Sequence, residues 1–196
     1  MLRCVLFDLD GVIRHFDPGH PAAIEHRHGL AAGSAVRTAF RAELLASVVT
    51  GRRSRAEWVA IVGRELANPV AAAELLSDRG TVDEAMVALI TELRARGLVC
   101  ALLTNGTDTI PDELAALGLD DVLDHVFNTA IIGTAKPEPE PFLHVCRALD
   151  LAPPEIFFTD DRPENTEAAA ALGMTAHTFT GVDGLRAALD GAFPAR

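Results

Sequence analysis

The chain has 196 residues, enough for one domain or for one domain carrying an inserted subdomain. Hydrophobic residues make up 49% and charged residues 23%, the balance of a globular protein with a sizeable core. The formal net charge of −11 argues against broad binding to nucleic acid or to an acidic membrane surface, because no basic field attracts a phosphate backbone, whereas a small phosphate compound needs only a local site.

Leu2–Phe7 is mostly apolar and reads as a strand buried on both faces, as at the centre of a parallel sheet. Asp8-Leu9-Asp10-Gly11 follows at once. Ligands of open α/β sheets sit outside the carboxyl ends of strands. Two acids there suit holding a cation, attacking a substrate or passing a proton. Val12–Phe16 is short and mixed, and Asp17-Pro18-Gly19 is a turn. From about His20 to Asp78 the segments are Ala- and Leu-rich and helical. One helix is expected over Ala35–Val49. A second covers Arg55–Leu66, capped by Ser54 with Glu57, and a third runs from Asn68-Pro69 to Leu76. Trp58 is expected in the core of this block. An all-helical block inside an alternating chain reads as an inserted subdomain over residues 17–78, with the core built from 1–16 and 79–196.

Alternation then resumes. Thr81–Arg96 is expected as a helix with a Thr81/Glu84 capping box, ended by Gly97. Leu98–Leu103 is a strand ending in Thr104-Asn105-Gly106, and Ile110–Leu117 a helix. His125–Ala130 is a strand, Glu140–Leu149 a helix. Ile156–Thr159 is a strand ending in Asp160-Asp161, and Pro163–Leu172 a helix with proline in its first turn. Ala176–Phe179 and Val182–Leu189 complete the pattern as strand and helix. The fold class is therefore α/β: a Rossmann-like parallel sheet in a three-layer α/β/α core, with the helical insert.

Cys4, Cys100 and Cys146 are odd in number, widely spaced and set in apolar stretches, so buried free thiols in a reducing compartment are expected. The amino terminus enters a core strand almost at once, and no apolar run approaches the ~18 residues of a membrane span. The expectation is a cytoplasmic protein. Of the 17 basic residues only Lys136 is lysine. Where arginine replaces lysine nearly everywhere, the surviving ammonium is expected at a place that needs it, because a planar guanidinium is not its equivalent. In a parallel sheet the polar ends Asp8/Asp10, Thr104/Asn105 and Asp160/Asp161 share one edge, near the loop of Lys136. That set suits phosphoryl transfer, which rests on positioning and charge neutralisation.

Four ordered motifs support this. They are Phe7-Asp8-Leu9-Asp10-Gly11-Val12, Leu103-Thr104-Asn105-Gly106, Lys136-Pro137 within Gly133–Pro137, and Phe158-Thr159-Asp160-Asp161-Arg162-Pro163-Glu164-Asn165. On these motifs, over essentially its whole length, the chain resembles the haloacid dehalogenase-like hydrolase superfamily. The insert resembles the cap of the branch whose cap follows the first motif. The resemblance implies a magnesium-dependent phosphatase acting on a small phosphorylated metabolite. Asp8 would be the nucleophile and Asp10 the general acid and base. Thr104, Asn105 and Gly106 would bind the phosphoryl oxygens with Lys136, which would also balance Asp8. Magnesium would be held by Asp8, the backbone carbonyl of Asp10 and Asp161, with Asp160 behind as a supporting acid and Asn165 orienting Asp161 or a metal-bound water. Asp10 favours a phosphate ester over a halide, which leaves without a proton. A phosphomutase, or an idle relative on the same fold, would carry the same residues. A phosphotransfer receiver domain also gathers acids, Thr and Lys at a sheet edge, but its motif order, length and lack of an insert disagree. His15, His20, His26 and His28 are irregularly spaced and read as exposed histidines or substrate contacts rather than a transition-metal site. Of Arg52, Arg53 and Arg55, one is a candidate to reach an anionic group. No motif names the substrate or the oligomeric state.

Overall fold

The computed structural model describes residues 1–192. Five strands form one parallel sheet: β1 (Cys4–Phe7), β4 (Val99–Thr104), β5 (His125–Asn128), β6 (Ile156–Asp160) and β7 (Thr175–Thr178), in the order β5-β4-β1-β6-β7. The strand at the centre is the one the sequence marks as buried on both faces. Its side chains alternate as strand geometry requires. Val5 and Phe7 pack with Met86, Ile90, Leu114 and Leu185 on one side. Cys4 and Leu6 pack with Phe142, Val145 and Ala169 on the other. The helices that supply those partners are α6 (Glu84–Ala95), α7 (Ile110–Ala116) and α11 (Val182–Ala192) on the first face, with α9 (Pro139–Leu149) and α10 (Pro163–Ala171) on the second. The three cysteines are buried and free, and burial pushes the Cys4 and Cys100 thiols up to about 12. No helix among the described residues is long and apolar enough to cross a membrane.

Between β1 and α6 lie five helices: α1 (His20–Arg27), α2 (Ser34–Ala39), α3 (Ala42–Val49), α4 (Arg55–Glu65) and α5 (Pro69–Leu76). They enclose their own apolar cluster, including Ile24, Leu44, Val48, Trp58, Val62 and Leu75. Ser54 and Glu57 form the expected capping box, and the Asn68 side chain accepts from the Ala71 amide. The single helix expected over Ala35–Val49 is instead two, broken at Phe40-Arg41. Trp58 explains the break. Its Nε1 donates to the Ala39 carbonyl at 2.9 Å, the oxygen a continuous helix would offer to residue 43. Arg41 is then extended (φ −61°, ψ 139°), and α3 starts afresh.

The chain enters and leaves this block through a two-stranded antiparallel ribbon. β2 (Arg14–His15) pairs with β3 (Thr81–Val82), Arg14 opposite Val82 and His15 opposite Thr81. Thr81 is therefore strand, not the cap of the following helix. The cap is Asp83, whose carboxylate accepts from the amides of Ala85 and Met86, while its own amide donates to the Ile13 carbonyl. The strand expected over His125–Ala130 also stops early. Asn128 caps a one-turn helix, α8 (Thr129–Ile132), by accepting from the Ala130 amide. The Thr129 hydroxyl then donates to the Val49 carbonyl at 2.7 Å, tying core to insert.

Replacing Asp83 with alanine tests the reassigned cap. It should lower stability by about 1 kcal/mol, the usual loss of an N-cap, in a denaturant titration. Thr81→Ala should change stability by much less.

Candidate active site

The edge of the sheet at the carboxyl ends of β1, β4 and β6 gathers the motif residues. Asp8 follows β1, and its amide extends the ladder by donating to the Thr159 carbonyl at 2.9 Å. Asp160 closes β6 and is fully buried. Between the two carboxylates sits the only lysine of the chain. Lys136 Nζ donates to Asp8 Oδ1 at 2.7 Å, to Asp160 Oδ2 at 2.6 Å and to the Leu103 carbonyl at 2.8 Å. All three ammonium donors are thereby used. The loop is pinned by Asn105 from the end of β4. Asn105 Nδ2 donates to the Lys136 carbonyl and the Lys136 amide donates back to Asn105 Oδ1, each at 2.9 Å. The Lys136–Pro137 peptide is cis.

Asn105 was expected as a substrate contact. Its side chain closes this two-point clamp, which leaves the backbone amides near Asn105 as the candidates for that contact. Thr104, at the last position of β4, is buried, and Gly106 borders the cavity described below. A Cβ at Gly106 would lie 2.2 Å from the Ile110 side chain, so a larger residue there would have to displace that side chain. Asn165 is expected to orient Asp161 or a metal-bound water. Its amide nitrogen instead donates to both oxygens of Asp160 at 3.0 Å. The Arg162 amide adds a third donor, and a fourth hydrogen bond, to that carboxylate at 2.9 Å.

One buried cation facing two buried acids sets the protonation of the cluster. Burial raises the Asp8 carboxyl to about 7; Lys136 pulls it down, and Asp160 pushes it up. Burial works to lower Lys136, but Asp8 and Asp160 outweigh it, and the ammonium is held above its ordinary range. Burial and then Asp160 raise the more exposed Asp161.

Carboxylate oxygens of Asp8, Asp160 and Asp161 lie within 4.8 Å of one another, close enough to surround one cation. An all-oxygen set suits a hard divalent ion such as magnesium. Asp160 has both oxygens engaged by nitrogen donors, which fits a supporting place behind Asp8 and Asp161. Asp161 can come this close because Gly11 has no side chain: a Cβ there would be 2.2 Å from Asp161 Oδ2, and Gly11 has φ +89°. The Asp10 side chain is not in this group. It turns the other way, and its Oδ1 accepts from Arg14 Nε at 2.6 Å. Arg14 NH1 donates to Glu113 Oε2 at 2.7 Å, and Glu113 Oε1 accepts from Arg55 NH1 at 2.8 Å. Arg55 belongs to α4 and also donates to the Leu76 carbonyl. The chain of charges Asp10–Arg14–Glu113–Arg55 thus runs from the motif into the helical block. Sequence reasoning named Arg55 only as one of three candidates and missed Arg14 and Glu113. The one sequence signal was an arginine inside the apolar stretch Val12–Phe16; nothing in the sequence points to Glu113. His15 and His20 lie 3.6 Å from Asp83 and 3.9 Å from Asp78, and His28 bonds Glu74 at 2.7 Å. Among the described residues the histidines form no metal cluster.

The family model of the haloacid dehalogenase-like hydrolases matches residues 2–173. The chain belongs to this family. Among curated relatives, the validoxylamine A 7'-phosphate phosphatase of Streptomyces hygroscopicus subsp. limoneus is 30% identical over 188 residues, spanning 89% of this chain and 84% of the relative. The sesquiterpene phosphatase astK of Aspergillus oryzae is 33% identical over 93 residues, and the match covers 47% of each chain. The chain thus spans about half the length of some curated relatives it matches. Among solved structures, a family enzyme of Bacteroides thetaiotaomicron (bt-2542) superposes with a TM-score of 0.80 at 20% identity over 99% of each chain. The same enzyme is known in complex with magnesium and inorganic phosphate, where the TM-score is 0.78 at 21% identity over 91% of this chain and 94% of that one. At these identities the structural likeness establishes the fold.

Removing the Lys136 ammonium should expose the cost of the two acids it serves. In chelated buffer, Lys136→Met should be destabilised by about 3–5 kcal/mol at pH 8, the loss expected when a buried charge loses its partner. Lys136 pulls the Asp8 carboxyl down, so its removal should push that carboxyl further up. A carboxyl raised in the folded state binds its proton there more tightly than in the unfolded chain. Its stability contribution is therefore present at low pH and lost as pH rises through the folded value. The deficit should shrink at pH 5, as read by denaturant unfolding at both pH values.

Proposed function

We propose that the protein is a magnesium-dependent phosphatase acting on a small phosphate monoester through an aspartyl-phosphate intermediate. The observation that carries this reading is the pairing of two acids with different surroundings two residues apart. Asp8 is buried against Lys136, and Asp10 borders the cavity and is held by Arg14. A nucleophile and a proton carrier need such different settings. A substrate losing halide needs no acid at the second place.

The Asp8 carboxylate attacks phosphorus, the bond from phosphorus to the ester oxygen breaks, and Asp10 gives its proton to the departing alkoxide. Asp10 then takes a proton from a water that attacks the same phosphorus, the acyl-phosphate bond breaks, and inorganic phosphate leaves with the Asp8 carboxylate restored. Lys136, its three donors spent on Asp8, Asp160 and the Leu103 carbonyl, balances the Asp8 charge and adds a positive field beside the phosphoryl group, while Thr104 and the backbone amides of Asn105 and Gly106 serve as the donors to its oxygens. Asp8, Asp161 and the Asp10 carbonyl would hold the magnesium ion, supported by Asp160, and the ion would neutralise charge on the transferring group. The insert over residues 17–78 serves as a cap that closes the crevice and limits bulk water. Matching relatives named as phosphatases support the reaction class. Their named substrates differ widely in chemistry, so the leaving group is not fixed by them.

The reaction class is tested with a generic aryl phosphate. Turnover should require magnesium and stop with chelator. Asp8→Asn should reduce it to background, and Asp10→Asn should lower kcat by about 10²–10⁴. Full activity in Asp8→Asn would overturn the nucleophile assignment. Asp161→Ala should weaken the magnesium dependence more than Asp160→Asn does; the reverse would exchange their places.

A further inference from the structure

The cavity between the core and the helical insert opens beside Asp10 and encloses about 390 Å³. That is the size of a site for a small organic molecule. Its lining carries two chemically distinct parts. The insert contributes Phe40, Leu45, Val49, Trp58, Leu75 and Leu76. Phe40 and Trp58 meet edge to face at 5.5 Å, and the Trp58 nitrogen is already committed to the Ala39 carbonyl, so this wall offers ring faces and hydrocarbon. Near Asp10, polar groups are present but already spent on one another. Arg14 is divided between Asp10 and Glu113, and Arg55 between Glu113 and the Leu76 carbonyl. Thr107 is bonded to Thr109, and Asn105 is committed to the Lys136 loop.

The charge count decides what such a space accepts. Four carboxylates line it, those of Asp10, Asp17, Asp78 and Glu113, against the two guanidinium groups of Arg14 and Arg55. No arginine or lysine pairs with Asp17 or Asp78 among the described residues; the nearest basic group is His20, 3.9 Å from Asp78. A substrate bearing a carboxylate or a second phosphate beyond the scissile one would meet net negative charge and no spare cation. A polyhydroxylated sugar could place a few hydroxyls on Asp17, Asp78 and His20 at one side of the cavity but would leave the others against the apolar wall of Phe40, Leu45, Val49, Trp58, Leu75 and Leu76.

We propose that this cavity receives the alcohol portion of the substrate, and that this alcohol is uncharged and largely hydrocarbon. The inference rests on the phosphatase reading above and specifies its substrate class. Hydrocarbon packing against Trp58, Phe40 and Leu45 holds the alcohol, and its oxygen faces Asp10, the group that protonates it. His20 Nε2 lies buried at the lining without a hydrogen-bond partner, a place for one polar substituent.

The test compares phosphate release from n-octyl phosphate, phosphoglycolate, a hexose monophosphate and acetyl phosphate by the magnesium-loaded full chain. Acetyl phosphate serves as the reference because its leaving group is too small to use the cavity. The octyl ester should have a kcat/KM about 100-fold above those of phosphoglycolate and the hexose phosphate. In Phe40→Lys and Leu45→Lys, which place a cation at the half-exposed lining, the octyl advantage should fall about tenfold and phosphoglycolate should gain. Acetyl phosphate hydrolysis and the melting temperature report whether each variant still folds. Equal or better turnover of phosphoglycolate or the hexose phosphate, with acetyl phosphate hydrolysed, overturns the substrate class and leaves the phosphatase reading standing. Failure to hydrolyse any of the esters, and the acyl phosphate as well, overturns the phosphatase reading itself.

Discussion

One ammonium group governs the electrostatics of the sheet edge. Two buried carboxylates 152 positions apart in sequence meet there, and burying such groups is costly without a partner. Lys136 answers both and uses its last donor on the Leu103 carbonyl. Its backbone is held from the neighbouring strand end by Asn105, and Asp160 is held by Asn165 and the Arg162 amide. Each of the four motifs therefore contributes to one network. Losing any member would shift the charge seen by Asp8. An arginine would not replace the lysine, because a planar fork cannot point three short bonds at two carboxylates and a carbonyl around one nitrogen.

A second network carries the first acidic motif outward. Asp10 is oriented by Arg14, and Arg14 sits on the ribbon through which the chain enters the helical block. Glu113 from the core and Arg55 from the block complete the line. The position of the helices and the orientation of Asp10 are thus linked by short charge-assisted bonds. These same bonds consume the cations beside the cavity, which is why its chemistry is set by the apolar wall and the surplus carboxylates.

Much of this was legible in the sequence because the relevant signals are local. The apolar run before Asp8, the strand ends at Thr104 and Asp160, and the single lysine all announce themselves within a few residues. The self-contained helical block was visible as a change in pattern. What escaped depended on contacts across the chain. Thr81 looks like a capping residue until the ribbon with Arg14–His15 claims its backbone, after which Asp83 takes the role. The helix over Ala35–Val49 is broken by a tryptophan 19 residues from the carbonyl it takes. The Asn105 side chain turns out to clamp the Lys136 loop, and the Asn165 side chain bonds Asp160, contacts that only the folded chain brings together. Glu113 is an ordinary helix-surface acid in sequence and becomes buried only because two arginines converge on it.

The most direct measurement is mass spectrometry of protein quenched in acid during turnover of an aryl phosphate with magnesium. The Asp10→Asn variant is used alongside the parent, because slower hydrolysis lets the intermediate accumulate. One phosphoryl group should be found on the peptide containing Asp8, lost on treatment with hydroxylamine as an acyl phosphate is, and absent from Asp8→Asn. A phosphoryl group on any other residue, or steady turnover with none on Asp8 in either protein, would contradict the assignment of Asp8 as the nucleophile.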